Sequence, residues 1–431
     1  MNATAGSRND QLKNSIIAGN IPQLVMNAIA CAIEMRSSDI HIEPSKHTIR
    51  MRYRVDGVLR RIVEYPHNIH PAVVSRVKIM SNLKIDEQRI PQDGRAHITT
   101  EDNREMDLRV STLPTINGEK IVMRIQEESL NIPTLEELGF ESVSFTNLRK
   151  ALDMPNGIIL TTGPTGSGKT TTLYAALTIL NTPDVNILTI EDPVEIQMDG
   201  LNQSQTHAEI EYTFASGLRT ALRQDPDIIM VGEIRDRETV NTAIEASLTG
   251  HLVLSTIHTN SAVETITRIL NMGVPAFLMT GTINMIISQR LVRKLCQNCK
   301  EPMEVDAQTM AMVNEALNTV SPLAAGDVPS ERVFYKPHGC EKCDNIGYKG
   351  RVGIYELLTM SNALRRMIIA GANTIDLQRV AMEEGMLTLE QSGIIKALKG
   401  LTSLEEVYRS ARHVSIDDKA MPEYIKPAVQ P

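Results

Sequence analysis

The chain has 431 residues, too many for one hydrophobic core, so it should divide into two or three domains. With 42% hydrophobic and 22% charged residues it reads as a globular protein. A net charge of −8, aromatics at 3% and no tryptophan exclude a generally basic, stacking-rich surface, so no direct nucleic-acid partner is expected.

Residues 1–20 read as a flexible polar tail: MNATAGSRNDQLKN has neither the basic nor the apolar region of a secretory signal, which predicts a cytoplasmic protein. From Ile21, IPQLVMNAIACAIEMRSS has helical spacing and gives way to DIHIEP and HTIRMRYRVDGVLRRIV, which alternate with period two. Another helical run, HPAVVSRVKIMSNL, precedes IPQDGRAHI and DLRVSTLPTINGEKIVMRIQ. The predicted domain at 21–128 is thus a small α/β sandwich. Residues 129–149 are expected to be a linker. Beyond it the apolar runs GIILTT, NILTI, DIIMV and HLVLSTI alternate with helical stretches, the pattern of buried parallel strands, and predict a parallel-sheet domain at 150–295. The stretch MGVPAFLMTGTINMIIS is broken by Pro, Gly and Asn, which suits a packed helix better than a membrane span. Residues 296–343 hold the cysteines, and 344–431 read as a helical subdomain and tail.

In the hairpin DLRVSTLPTINGEKIVMRIQ, Leu108 and Val110 face one way and Arg109 the other, while Ile121, Met123 and Ile125 oppose Arg124. If Asn117-Gly118 closes the turn, both arginines share one exposed face as near neighbours. Like charges so placed destabilise unless an anion covers them.

Gly163-Pro164-Thr165-Gly166-Ser167-Gly168-Lys169-Thr170 fits the phosphate-binding loop G-x-x-x-x-G-K-[ST] and lies between the strand GIILTT and a helical run that opens with Thr171. The glycines let backbone amides wrap a phosphate, Lys169 brings a charge to the β and γ groups, and Thr170 is placed for Mg²⁺. Acids decide whether such a site hydrolyses. Glu233 ends the strand DIIMV and is placed for Mg²⁺ or its water; Glu191 and Asp192 end NILTI. Either Glu191 or Glu233 could activate the attacking water, and the sequence does not divide that role. His258 falls where HLVLSTI runs out and could sense the γ-phosphate, whereas His251, before that strand, reads equally well as structural.

Cys296 and Cys299, with Cys340 and Cys343, form two C-x-x-C pairs whose four thiolates match a structural tetrahedral Zn²⁺ site. The segment ALNTVSPLAAGDVPS between them can loop out. Such pairs suit a reducing compartment better than disulfides. Cys31 lies on an apolar helix face and reads as core.

Taken in order, SSDIHIEP, RVDGVL, PQDGR, GPTGSGKTTTLY, TIEDPVE, LRQDPDIIMVGEIRD, TGHLVLSTIHTN, ISQRLVRKLC and GYKGRVGIYELL resemble the type II secretion and type IV pilus assembly ATPases over about residues 21–410. The resemblance implies a PAS-like α/β domain joined to a RecA-like ATPase domain with a zinc-binding insertion, six subunits in a ring, and ATP with Mg²⁺ as substrate. It implies that Arg109 and Arg124 close onto the phosphates and that Arg219 and Arg223, four apart on a helix, assist them. It implies work on a polytopic inner-membrane platform protein and peripheral association with the inner membrane. The tetracysteine site points to assembly rather than retraction ATPases. Family members commonly carry a further domain ahead of this region, through which they reach inner-membrane recruiting partners; here a short polar segment stands there. A conjugation or DNA-transfer ATPase of the same superfamily and a nucleotide-gated scaffold with little turnover are the alternatives. SSDIHIEP and the cysteines disfavour the former, the paired acids and arginines the latter.

Overall fold

A computed structural model describes residues 8–99, 105–127 and 132–411, and divides the chain into two compact units, residues 1–131 and 132–431. The expected tail at 1–7, the start of the expected linker at 129–131 and the end of the chain at 412–431 lie outside the described residues.

The first unit runs α1 (Arg8–Ala18), α2 (Ile21–Glu34), β1 (Ser37–Pro44), β2 (Ile49–Val55), β3 (Val58–Tyr65), α3 (His70–Met80), β4 (Gln92–Thr99), β5 (Glu105–Thr115) and β6 (Gly118–Glu127). The strands form one antiparallel sheet in the order β3-β2-β1-β6-β5-β4. Period-two alternation gives this sheet one apolar face, where Ile40, Ile42, Met51, Tyr53, Leu108, Val110, Ile121 and Met123 join Leu24, Val25 and Ala28 of α2 and Val73 and Val77 of α3. The Tyr53 hydroxyl donates to the Ala28 carbonyl at 2.7 Å, fastening α2 to the sheet. The predicted tail is corrected over residues 8–18: they form a helix whose Leu12 is fully buried against this core and whose Ser15 hydroxyl accepts from Asn27. A single i, i+4 pair, Leu12 and Ile16, carries its apolar contact, too weak a pattern to read among polar neighbours.

The second unit begins with α4 (Leu135–Leu138) and α5 (Ser142–Leu152). The linker expectation gives way here, because Leu135, Phe140 and Leu148 are buried in this unit's core. Then come β7 (Gly157–Thr162), α6 (Lys169–Leu180), β8 (Ile187–Glu191), β9 (Asn202–Gln205), α7 (Phe214–Ala221), β10 (Ile228–Val231), α8 (Arg237–Leu248), β11 (Leu252–Ile257), α9 (Ala262–Asn271), α10 (Ala276–Thr282) and β12 (Ile283–Leu295). After them follow β13 (Glu301–Met303), α11 (Ala307–Asn318), β14 (Phe334–Lys336), β15 (Tyr348–Thr359), α12 (Asn362–Ile369), α13 (Thr374–Glu383), α14 (Leu389–Leu398) and α15 (Leu404–Ala411). The sheet order is β15-β12-β7-β11-β10-β8-β9, parallel except for β15, which runs antiparallel to β12.

Helices cover both faces of this sheet, so its inner strands β7, β8, β10 and β11 are buried on both sides and read as continuous apolar runs. That explains the correction at MGVPAFLMTGTINMIIS: α10 takes its first part, but from Ile283 the chain is a central strand. A short apolar run has no period that separates a buried strand from a buried helix. The chain between the cysteine pairs is also more structured than a loop, since Val313 and Leu317 of α11 pack on Ile394 and Ile395 of α14. Residues 344–431, expected to be helical, contribute β15 before their helices. No described helix is long and apolar enough to cross a membrane.

Candidate nucleotide site

The C-terminal ends of parallel strands β7, β8, β10 and β11 lie side by side, and the predicted residues of the second unit follow from them, at the edge where open α/β sheets bind ligands. Thr162 ends β7 and Lys169 opens α6, so residues 163–168 are the loop between them. Gly163 has φ +147, and a Cβ there would stand 2.6 Å from both the Gln289 carbonyl and the Ser167 hydroxyl, so the backbone requires glycine. Pro164, Thr165 and Gly166 are exposed, while Ser167 and Lys169 are buried. The Lys169 ammonium donates to the Gly163 and Pro164 carbonyls at 2.9 and 3.2 Å. Burial pulls its pKa down, Glu233 opposing and Arg290 adding to the effect. Thr170 and Thr171 are half-buried in the first turn of α6.

Glu233 stands two residues past β10, and its carboxylate meets His258 Nε2 at 3.3 Å and forms an ion pair with Arg235. Lys169, Glu233 and His258 are therefore brought together. Glu191 is in a different environment: fully buried, it accepts from the Tyr174 hydroxyl at 2.5 Å, from the Thr189 hydroxyl at 2.6 Å and from Gln203 at 3.2 Å. Three side-chain donors occupy its two oxygens. His251 resolves to a structural role, its Nδ1 lying 2.8 Å from the Ala246 carbonyl at the end of α8.

Arg219 and Arg223 are exposed. Arg219 pairs with Glu238 of α8, and Arg223, expected on the same helix but two residues past the end of α7, donates back to the Arg219 carbonyl at 2.9 Å, so these bonds are not made to the phosphate loop.

Arg109 and Arg124 face each other as direct partners across β5 and β6, one step closer than the expected turn gives. The tight turn falls on Ile116-Asn117, since Thr115 pairs with Gly118. Arg95 of β4 pairs with Arg109, and Asp39 of β1 pairs with Arg124, so Arg95, Arg109, Arg124 and Asp39 form one row across four strands. Asp39 supplies an anion from within the chain, 3.1 Å from Arg124 Nε and 3.5 Å from Arg54 Nε. The row lines a concavity of about 570 Å³ with Asp93 and Ser111.

The four sulfurs of Cys296, Cys299, Cys340 and Cys343 lie within 4.8 Å of one another, with neighbouring pairs at 3.7–3.8 Å. Tetrahedral Zn–S bonds of about 2.3 Å require S···S separations near 3.8 Å, so the cluster fits that ion. Amides of Gly339, Cys340 and Gly347 donate to Cys299 and Cys343 sulfurs at 3.2–3.3 Å, which favours the thiolates.

Sequence reasoning missed β12. This strand pairs with β7 up to Ser288 opposite Thr162, then continues beside the phosphate loop, where the Gln289 amide donates to the Ser167 carbonyl at 2.7 Å. Arg290 and Ser288 donate to the Asn260 carbonyl, two residues past His258, at 2.9 and 3.3 Å. The segment ISQR was the only signal for them. Tyr174 and Thr189 had only their places in GPTGSGKTTTLY and TIEDPVE, and Gln203 had none.

The model of the family described as "Type II/IV secretion system protein" matches residues 16–409. The chain belongs to that family. The type IV pilus assembly ATPase PilB of Myxococcus xanthus is 45% identical over 403 residues, covering 92% of this chain and 69% of the relative. The type II secretion system ATPase E of Vibrio cholerae is 43% identical over 406 residues, 93% of this chain and 77% of the relative. Among solved structures, the pilus retraction motor PilT with bound ADP aligns with a TM-score of 0.57 at 27% identity, covering 92% of this chain and 99% of that one. The Legionella pneumophila ATPase DotB aligns with a TM-score of 0.64 over 89% and 94% at 21% identity, a likeness of fold. The family is one of ATPases, and the chain is an ATP-hydrolysing motor of the pilus and secretion assembly type, with a RecA-like parallel-sheet domain after an antiparallel PAS-like one.

Proposed function

We propose that six copies of the chain form a ring that hydrolyses ATP and drives type IV pilus or type II pseudopilus assembly through a polytopic inner-membrane platform protein, from a peripheral position on the cytoplasmic side. The observation that carries the reading is the convergence of Lys169, Glu233 and His258 at the end of β7, β10 and β11. The phosphate-loop amides and Lys169 bind the β and γ phosphates, displacing the two carbonyls that now hold the ammonium. Mg²⁺ held by Thr170 and Glu233 would neutralise phosphate charge.

Of the two acids, Glu233 takes the role of orienting and deprotonating water. Glu191, its oxygens already occupied by Tyr174, Thr189 and Gln203, is assigned to framing the site. His258, 3.3 Å from Glu233, is placed to register the γ-phosphate through that carboxylate. Arg109 and Arg124 stabilise transition-state charge as the first unit closes, with Arg219 and Arg223 released from Glu238 and the α7 carbonyl to assist. Zn²⁺ on the four cysteines is structural.

The test is ATP turnover together with a pull-down of the platform protein, with and without ATP. Lys169→Ala and Glu233→Gln should lose turnover by about a hundredfold or more while folding normally. Wild-type rates in either would sink the site, and failure to capture the platform protein would sink the pathway.

A further inference from the structure

The motif GYKGRVGIYELL contains an acid that the proposed chemistry does not use. Glu356 of β15 stands directly opposite Ser288 of β12 and is buried. Its Oε1 accepts the Ala262 amide at 2.6 Å, at the first residue of α9 and four residues past His258. The Leu389 amide, at the first residue of α14, also stabilises its charged form. A carboxylate is favoured at a helix N-terminus, where amide hydrogens lack partners, and Glu356 fills that place for α9. The rest of the loop is held by other groups: Thr259 by the Thr162 hydroxyl at 2.9 Å, Asn260 by Ser288 and Arg290. Glu356 is thus a point at which the His258 loop is tied to β15, where the neighbouring Tyr355 amide donates to the Ser392 hydroxyl of α14 at 3.1 Å.

We propose that Glu356 is a positioning residue for the His258 loop, its carboxylate clasping the start of α9 to β15, so that this strand and the helix α14 bonded to it set where His258 stands against Glu233. The proposal rests on the ATPase reading above. Burial pushes the Glu356 carboxyl up to about 7, against the two amides and Arg290 of β12, while Glu264 of α9 adds to the rise. The clasp accordingly titrates near neutral pH: the carboxylate holds the Ala262 amide, and the protonated acid is a poorer acceptor for it.

The test uses the full chain with Glu356→Gln, which keeps the volume but removes the charge that strengthens the Ala262 bond and titrates, and Glu356→Ala, which removes the acceptor, as the harsher variant. For Glu356→Gln the expected result is a kcat at least tenfold down with the KM for ATP within twofold of wild type, and loss of the limb in kcat near pH 7. Amide hydrogen exchange should quicken at residues 259–265 but not at 163–168. Wild-type kcat, pH profile and exchange in Glu356→Gln would overturn the proposal, as would a variant that loses folding or ATP binding as a whole. The exchange measurement needs no turnover: if the wild-type chain hydrolyses no ATP, the motor reading fails while exchange alone still decides the clasp.

Discussion

Glu191 and Glu233 are two carboxylates at neighbouring strand ends, and what separates them is how many donors each already satisfies. Glu191→Ala leaves the Tyr174, Thr189 and Gln203 donors without their acceptor, each such buried loss costing about 1–3 kcal/mol. Its thermal midpoint should therefore fall by several degrees, whereas Glu233→Gln should unfold near the wild-type temperature and lose turnover. Equal stability losses in the two variants would undo the division of roles. Glu356 gives a pH signature of its own. Its carboxyl stands at about 7 in the folded chain against 4.5 in the unfolded one. The folded state thus binds the proton more tightly, and the stability this confers is present in full below about pH 4.5 and lost as pH rises through 7. The loss is on the order of 3 kcal/mol. Urea midpoints of Glu356→Gln against wild type, measured from pH 5 to 8, should converge at the acid end and separate in favour of the variant toward pH 8.

The elements that could be read in the sequence are those whose pattern is local. The phosphate loop was legible because glycines, a lysine and a strand-to-helix change fall within one turn of chain, and the acids because each ends an apolar run that is buried on both sides. The hairpin was legible to within one step, the difference between Asn117-Gly118 and Ile116-Asn117 as the turn, and the structure makes the two arginines closer neighbours than expected. What stayed hidden depends on distant partners. α1 is held by α2, Glu191 by Tyr174 and Gln203, and the phosphate loop by a strand 122 residues on, joined by the Gln289 side-chain amide to Ser167 bond. The cysteine region combines both cases, its ligands plain in the spacing and its intervening helix α11 unforeseen because it packs on α14. Metal removal checks that element. Chelation of freshly purified, reduced protein, or Cys340→Ser, should release about one zinc per chain, lower the thermal midpoint and leave ATP binding within twofold. Absence of zinc at the outset would defeat the site.

At the scale of the whole molecule, the described residues bury one core around β1–β6 in the first unit and, sharing no residue with it, cores on the seven-stranded sheet and between α11 and α14 in the second. Units with separate cores can unfold as separate cooperative events, and calorimetry should resolve two transitions. Nucleotide then acts as a probe of which unit it touches, because a ligand stabilises only the unit it binds, by about 2.7 kcal/mol at a hundred times its Kd. If ATP were held by the phosphate loop alone, a non-hydrolysable analogue with Mg²⁺ would raise the second unit's transition by several degrees and leave the first where it was. The proposed function requires more: Arg109 and Arg124 belong to the first unit, so its transition must rise as well, and the two must draw together as the nucleotide couples them. Lys169→Ala should abolish both shifts, whereas Arg124→Ala should keep most of the second unit's shift and lose the first's. A first-unit transition that ignores nucleotide in the wild-type chain would mean that the arginine row pairs only with Asp39 and its neighbours, and hydrolysis would have no route to move the first unit.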